Sequence, residues 1–513
     1  MVIQSKSKIT SLILVITFVL NIFGCSPSFA ANSVQSGISS TPRNVILLIG
    51  DGMGFEHMKA ARDDVSRGGH LYMDDVNDAG GKVTTNAANA DITDSSSAAT
   101  AIASGYKIDN NELGRLPDGT SVPTVLELAE TKGLATGVIT TTQIAHATPA
   151  GFAAHILHRN MYNSIASQMM TKDMEVVMGG GKNHFQNRQT LNAGKTHDGK
   201  SIEDPGDSRD LIAEAQANGY SYVSNVTELN GLNASGVNKV LGIFHDTNGL
   251  VQERANPPAT QPHLSEMTQK GLEVLAKDQD GFFLMVEGGQ IDWAAHANDF
   301  NNTQGETVAF DDAVKAALDF QALHPDTLVI VTADHETGGL TYDLATHQPS
   351  WSSGDHTAAM VPIMAEGPGA ELFNGTIDNT DIARKIAQLL NLDKPLVLQH
   401  SDAVAGLPTG FTVTSMGLPV ADAKVTVKSG VNNTLATLTT DGSGKAGYTF
   451  EKAGQYTVSV AKDGYLDSNV VTLDIKQAVP ETPKSVILLI GDGMGFEHMK
   501  AARDDVSRGG HLY

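Results

Sequence analysis

The sequence predicts an α/β domain with a central, largely parallel sheet flanked by helices, followed by a small all-β sandwich. Three observations carry this. From Pro42 to Leu392, apolar strand-like runs ("NVILLIG", "ATGVITT", "FFLMVEG", "LVIVTAD") alternate with Ala-rich helical segments such as "SSAATAIASG" and "DDAVKAALDFQAL". Continuous apolar runs, rather than alternating ones, are what strands covered on both faces require. After "IARKIAQLLNL", read as a last helix, the pattern changes to period-2 alternation. The length, 513 residues, also exceeds what one core usually supports.

The elements follow in order. Residues 1–30 carry Lys6 and Lys8 ahead of an apolar stretch too short to span a bilayer, then Ser28 and Ala30, the small residues of a cleavage site. They read as a signal peptide, so the protein is expected to be exported, periplasmic or extracellular. Cys25 follows bulky Phe23 in a poor lipoprotein box, which makes lipid anchoring the lesser reading. It is the only cysteine, so no internal disulfide can form. Residues 42–392 form the expected catalytic domain and 393–409 a linker. The sandwich, similar to bacterial immunoglobulin-like repeats, is expected over 410–475. Within it "DGSGKAG" lacks the first glycine and the final hydroxyl of a phosphate loop, and reads as a hairpin turn. A Pro-containing linker over 476–485 leads to residues 486–513, which repeat residues 45–72 without a change. This truncated duplicate brings Asp492 but no partner groups, so its removal is expected to leave activity intact.

Lys+Arg 35 against Asp+Glu 58 gives a net charge of −23, which repels nucleic acid and anionic membranes in the absence of a basic cluster. No nucleic-acid partner and no membrane span are expected. The acids of interest sit where strands end, because ligands in such folds bind beyond the carboxyl edge of the sheet. Asp51 follows "ILLIG"; Glu287, Asp292 and His296 follow "FFLMV"; Asp334 and His335 follow "LVIVTA". Asp292 and His296 are four apart, on one helical face, and carboxylate with imidazole suits zinc. Each of these residues alone would read as surface or satisfied core. Ser95 opens a small-residue helix whose N-terminus favours an anion, although "TDSSS" in isolation is simply an N-cap.

Together "NVILLIGDGMG", "TDSSSAATA", "HATPAGFAAHILHR", "VEGGQIDWAAHAND", "TADHETGG" and "SSGDHT" resemble the ordered motifs of alkaline phosphatases. The resemblance implies a phosphomonoester hydrolase in which Ser95 is the nucleophile and Arg159 binds phosphate through a planar fork. It implies two zinc ions, one held by Asp51, Asp334 and His335, the other by Asp292, His296 and His356. A magnesium ion would lie among Asp51, Thr148 and Glu287, an oxygen set suited to a hard cation. His146 and Trp293 stand where family members vary and would modify this third site. As a direct ligand His146 would tilt it toward zinc or cobalt; it could equally act through water.

Small phosphomonoesters are the expected substrates, and a homodimer is one admissible assembly. The alternatives are a phosphodiesterase of the same superfamily, or a surface-binding protein acting mainly through the sandwich.

Overall fold

The structure, a computed structural model, describes residues 41–477 apart from 431, 432 and 469. The expected signal peptide with Cys25, most of the second linker and the duplicate at 486–513 lie outside the described residues.

Ten strands form the main sheet: β1 (Asn44–Gly50), β2 (Ala79–Thr84), β3 (Ala135–Gln143), β4 (Val176–Gly180), β5 (Tyr220–Val223), β6 (Lys239–Ile243), β7 (Phe282–Gly288), β8 (Thr327–Thr332), β9 (Val361–Glu366) and β10 (Gly375–Asp378). Their order across the sheet is β10-β2-β9-β8-β1-β7-β3-β4-β6-β5. Every pairing is parallel except the two that β9 makes, with β8 and β2. Every residue of β1, β3, β7 and β8 is buried. That is the physical reason these strands read as unbroken apolar runs.

Register sets the height of the chemistry. Ile49 of β1 lies opposite Thr332 of β8 and Glu287 of β7, and Glu287 lies opposite Thr140 of β3. Asp51 and Asp334 each stand two residues beyond that row, so four adjacent strands deliver their polar groups to one edge.

The remaining ligand candidates come from helices and a ribbon on the same edge. Helix Ser95–Ser104 begins at N-cap Asp94 and ends at Gly105, whose φ of 79° suits glycine. Helix Ala147–Ala153 carries Thr148 in its first turn, with His146 as its N-cap residue. Helix Gln290–His296 carries Asp292, Trp293 and His296. His356 arrives from far along the chain because Glu336–Thr337 pairs antiparallel with His356–Thr357, which sets Thr337 directly opposite it.

The C-terminal region holds two four-stranded sheets around their own core of Phe411, Val413, Val425, Val427, Val458 and Val460. Two expectations change here. The stretch read as a linker over 393–409 contains strand Val397–His400, paired antiparallel with Pro408–Ser415. Leu396 and Leu398 are buried in that core, so the β-rich region begins inside the presumed linker. "DGSGKAG" is a turn, with Asp441 accepting from the Ser443 and Lys445 amides at 2.9 Å each, but not a hairpin. The strand before it pairs with Lys424–Ser429 and the strand after it with Pro408–Ser415, so the turn crosses between sheets. Arg384 ties the two regions, donating to the carbonyls of Met416 and Gly105 at 2.8 Å each.

Candidate active site

The sharp turn after β1 places Asp51 at the centre of the edge. Gly52 has φ of 75°, and a Cβ there would meet Thr337 Oγ1 at 2.8 Å and Asp292 Cα at 3.0 Å, so the position demands glycine. Its amide donates to Asp334 Oδ1 at 3.1 Å, and the His335 amide donates to the same oxygen at 2.9 Å. One Asp334 oxygen is thereby fixed by the backbone and the other is left facing His335 Nε2 at 3.2 Å.

Ser95 is fully buried at the first turn of its helix, with Oγ 3.2 Å from His335 Nε2. That nitrogen is also 3.5 Å from Asp51 Oδ1. Asp94 beside it does more than cap: its carboxylate accepts from the Ser97 amide at 3.0 Å and from Arg159 Nη1 at 2.9 Å. Burial pushes the Asp94 carboxyl up, but the Arg159 charge and these donors hold it well below the usual carboxylate range. Arg159 therefore stays charged and oriented beside the serine, its other terminal nitrogen donating to His146 Nε2 at 3.3 Å. His146 in turn packs edge-on against Trp293, with ring centroids 5.7 Å apart.

Two further imidazoles face each other in a way that protein groups alone do not satisfy. His296 Nδ1 lies 2.7 Å from the Gly354 carbonyl and His356 Nδ1 lies 2.9 Å from that of Thr93. Both carbonyls are acceptors only, so each Nδ1 carries the proton. The two Nε2 atoms are then 3.1 Å apart, at 3.4 and 3.5 Å from Asp292 Oδ1. Lone pairs at that distance repel unless a proton or a cation lies between them, and two nitrogens with one carboxylate oxygen match a zinc donor set.

The carboxylates make the same point. Asp51 Oδ1, Glu287 Oε1 and Asp334 Oδ2 are buried with no hydrogen-bond partner. Burial first, then repulsion from Asp334, Asp292 and Glu287, pushes the Asp51 carboxyl well above its ordinary value. Burial and Asp292 take Asp334 up to about 7, and burial raises Glu287. Unpaired buried charges of this kind are costly, and divalent cations reverse the cost. Donor atoms converge within 4.8 Å of one another in three overlapping groups: Asp51, Asp334 and His335; Asp292, His335 and His356; Asp51, His146 and Glu287. The residues present fit metal ions.

The structure thus brings all the sequence-selected residues to one place, with three refinements. His335 lies between the two expected zinc groups, within reach of Asp292 and His356 as well as Asp51 and Asp334. His146 joins Asp51 and Glu287 in the third group, and its buried Nδ1 has no hydrogen-bond partner. Thr148 donates to Asp51 Oδ2 at 3.4 Å, a long contact. Sequence reasoning missed the residues that hold the ligands. Thr337 Oγ1 donates to Asp292 Oδ1 at 2.6 Å and lies 3.2 Å from His335 Nδ1. Thr140 and Thr142 donate to Glu287 Oε2, the latter at 3.2 Å. The only signal for Thr337 is its place two residues after His335 in "TADHETGG".

Comparison with known proteins agrees with this geometry. A family model described as "Alkaline phosphatase" matches residues 42–347. "Alkaline phosphatase 3" of Bacillus subtilis (strain 168) is 31% identical over 463 residues, covering 72% of this chain and 93% of that one. Among solved structures, the alkaline phosphatase from the Antarctic bacterium TAB5 is 33% identical with a TM-score of 0.61, covering 69% of this chain and 99% of that one. A histidine-to-aspartate mutant of the TAB5 enzyme with Mg bound in its M3 site matches at 32% identity, a TM-score of 0.61 and the same coverage. The chain belongs to the alkaline phosphatase family: it is a phosphomonoester hydrolase that works with metal cofactors.

Proposed function

We propose that the chain hydrolyses phosphomonoesters through a phosphoserine at Ser95, outside the cytoplasm, as a phosphate-scavenging enzyme. The observation that carries this reading is the position of Ser95 Oγ, 3.2 Å from His335 Nε2 and buried beside Arg159. Asp51, Asp334 and His335 would hold one zinc, Asp292, His296 and His356 a second, with His335 close to both. When bound, these metals supply Lewis acidity, lowering the pKa of the serine hydroxyl and of water and drawing charge from the leaving oxygen. Asp51 and Glu287 with Thr148 would hold the third metal. The unpartnered His146 Nδ1 supports a nitrogen donor there, and so a tilt from magnesium toward zinc or cobalt.

The chain's own residues set the rest. Arg159, held by Asp94, offers its planar fork to two phosphate oxygens and fixes the ester in line with Ser95. The helix amides beyond Ser95 favour the anion that results. Ser95 Oγ loses its proton and bonds phosphorus as the bond to the leaving alkoxide breaks; the alkoxide takes up a proton. Water then attacks the phosphoserine from the side the alkoxide has left, opposite Ser95 Oγ; the P–Oγ bond breaks, Oγ takes up a proton, and orthophosphate is released. Export rests on residues 1–30; among the described residues no helix is long and apolar enough to cross a membrane.

The test uses an aryl phosphate and its bis-aryl diester, with acid-quenched protein examined for bound label from 32P-phosphomonoester. Label on wild type and none on Ser95→Ala, with the monoester much the faster substrate, is the expected result. A faster diester, or equal labelling of Ser95→Ala, overturns the reading.

A further inference from the structure

Outside the site described above, one more cluster of ligating side chains among the described residues has the marks of a built site. Glu112, His197 and Asp198 each present a donor atom within 4.8 Å of the others. Glu112 is 3% exposed and its Oε2 is buried with no hydrogen-bond partner. His197 Nε2 is likewise buried and unpartnered, 3.7 Å from an Asp198 carboxylate oxygen, too far for a hydrogen bond. Of the nearby cations Arg115 and Lys200, Arg115 is turned toward the Gly119 carbonyl at 3.4 Å. Burial pushes the Glu112 carboxyl above its ordinary value, and the nearby charges of Arg115, His197 and Lys200 offset this only in part.

The backbone holds the three in place. Thr196–His197 pairs antiparallel with Lys200–Ser201, and the two residues between, Asp198 and Gly199, have φ of 49° and 72°. Positive φ at both central positions is the two-residue hairpin turn matched to strand twist, and it fixes Asp198 next to His197. The hairpin base is closed by Leu191 and Asp204, which exchange backbone hydrogen bonds at 2.7 and 2.9 Å. On the other side, Glu112 follows Asn111, whose amide donates to Asp94 Oδ2 at 3.2 Å and whose carbonyl accepts from the Arg159 amide at 2.7 Å. The cluster therefore lies one residue from the peptide that orients Asp94 and Arg159.

We propose that Glu112, His197 and Asp198 form a separate divalent-cation site, suited to zinc, that ties the hairpin at 196–201 to the loop beneath Asp94 and Arg159. Two carboxylates and one imidazole are a zinc donor set; among the described residues no fourth His, Cys, Asp or Glu joins the group, which leaves a position for water. The role is positional, because none of the three side chains makes a hydrogen bond or ion pair to Ser95 or to the ligands around Asp51.

The test compares the full chain with Glu112→Gln and His197→Ala, each equilibrated with excess Zn2+, freed of loosely held ion, and analysed for zinc per chain. Each variant is expected to hold one zinc fewer than wild type while retaining turnover of an aryl phosphate. Limited proteolysis supplies the second readout: added Zn2+ should protect the 187–204 segment of wild type and neither variant. Equal zinc content in all three proteins overturns the site, and so does loss of turnover together with the ion, which would assign the missing zinc to the catalytic groups. Protection that is the same in all three overturns the tie.

Discussion

Two of the regions of the α/β domain that bury carboxylates treat them differently. On the long helix Phe300–Leu323, Asp311 accepts from the backbone amides of Tyr72 and Met73 at 3.0 and 2.8 Å, and Glu306 accepts from the Glu253 amide at 2.6 Å. At the carboxyl edge of the sheet, Asp51, Glu287 and Asp334 each keep one buried oxygen without any donor. The same desolvation acts in both places, so the difference lies in what is withheld. Backbone amides satisfy the structural acids, whereas the edge acids are left with lone pairs pointing at one another. Leaving buried acceptors unmade costs stability, and the arrangement is consistent only if cations complete it.

The largest effect should come from breaking the edge at its shared member. Asp51 belongs to two of the converging donor groups, so Asp51→Asn should lower kcat/KM for an aryl phosphate by on the order of 10^3-fold or more, as loss of a transition-state charge stabiliser does. Metal analysis should show more than one ion lost per chain. Activity within tenfold of wild type would place Asp51 with the structural acids instead. Chelation probes the same contrast without mutation. Stripping metal with EDTA should abolish turnover and lower Tm, because a ligand present at a thousandfold over its Kd contributes about 4 kcal/mol. It should also draw protons from solution, since Asp51, Glu287 and Asp334 are held above their ordinary pKa values when only protein charges surround them. An unchanged Tm and no proton uptake would refute the cation requirement.

Next in size is Thr337, which holds two of the ligands. Thr337→Val removes the donor to Asp292 Oδ1 and the contact with His335 Nδ1 while keeping the branched shape. Outer partners of metal ligands typically contribute 10- to 100-fold in affinity, so zinc binding should weaken by roughly that factor. At saturating zinc most of the turnover should return; no change in zinc affinity would show that Thr337 is packing alone.

How much of this was legible follows from which forces write themselves into local sequence. β1, β3, β7 and β8 were readable because burial on both faces leaves most of each run apolar and confines nearly all charge to the strand ends. Helix Ser95–Ser104 was readable from its cap and small residues. The strand Val397–His400 was not, because four residues between Pro395 and the Gly and Pro of 406–408 present no period to count. His356 could be chosen only through the family motif, since its delivery depends on an antiparallel ribbon with Thr337 that no local pattern announces. Thr140, Thr142 and Thr337 were invisible for a related reason: a threonine in or beside a strand is ordinary, and only register shows what its hydroxyl touches. Glu112 with His197 and Asp198 joins distant segments through a hairpin, and neither segment alone carries a ligand spacing.

The smallest effect on turnover, and the cleanest control for the comparison, comes from a structural acid. Burial is the main cause that takes Glu306 up to about 8, with the Glu253 charge adding to it and the Glu253 amide and Arg254 opposing. A carboxyl raised in the folded state above its ordinary 4.5 binds a proton that the unfolded chain has released. Its contribution is therefore neutral below about pH 4.5, increasingly destabilising from there to about 8, and fully destabilising above that. Glu306→Gln keeps an acceptor for the Glu253 amide and removes the titration. The variant should match wild type in kcat, equal or exceed it in Tm at alkaline pH, and show a flatter Tm between pH 5 and pH 9. The edge acids predict the opposite sign: with metal bound, protonating them costs the cation, so stability falls as pH is lowered. If Glu306→Gln has the same pH profile as wild type, the helix acids are not held protonated by burial, and the contrast with the sheet edge rests on geometry alone.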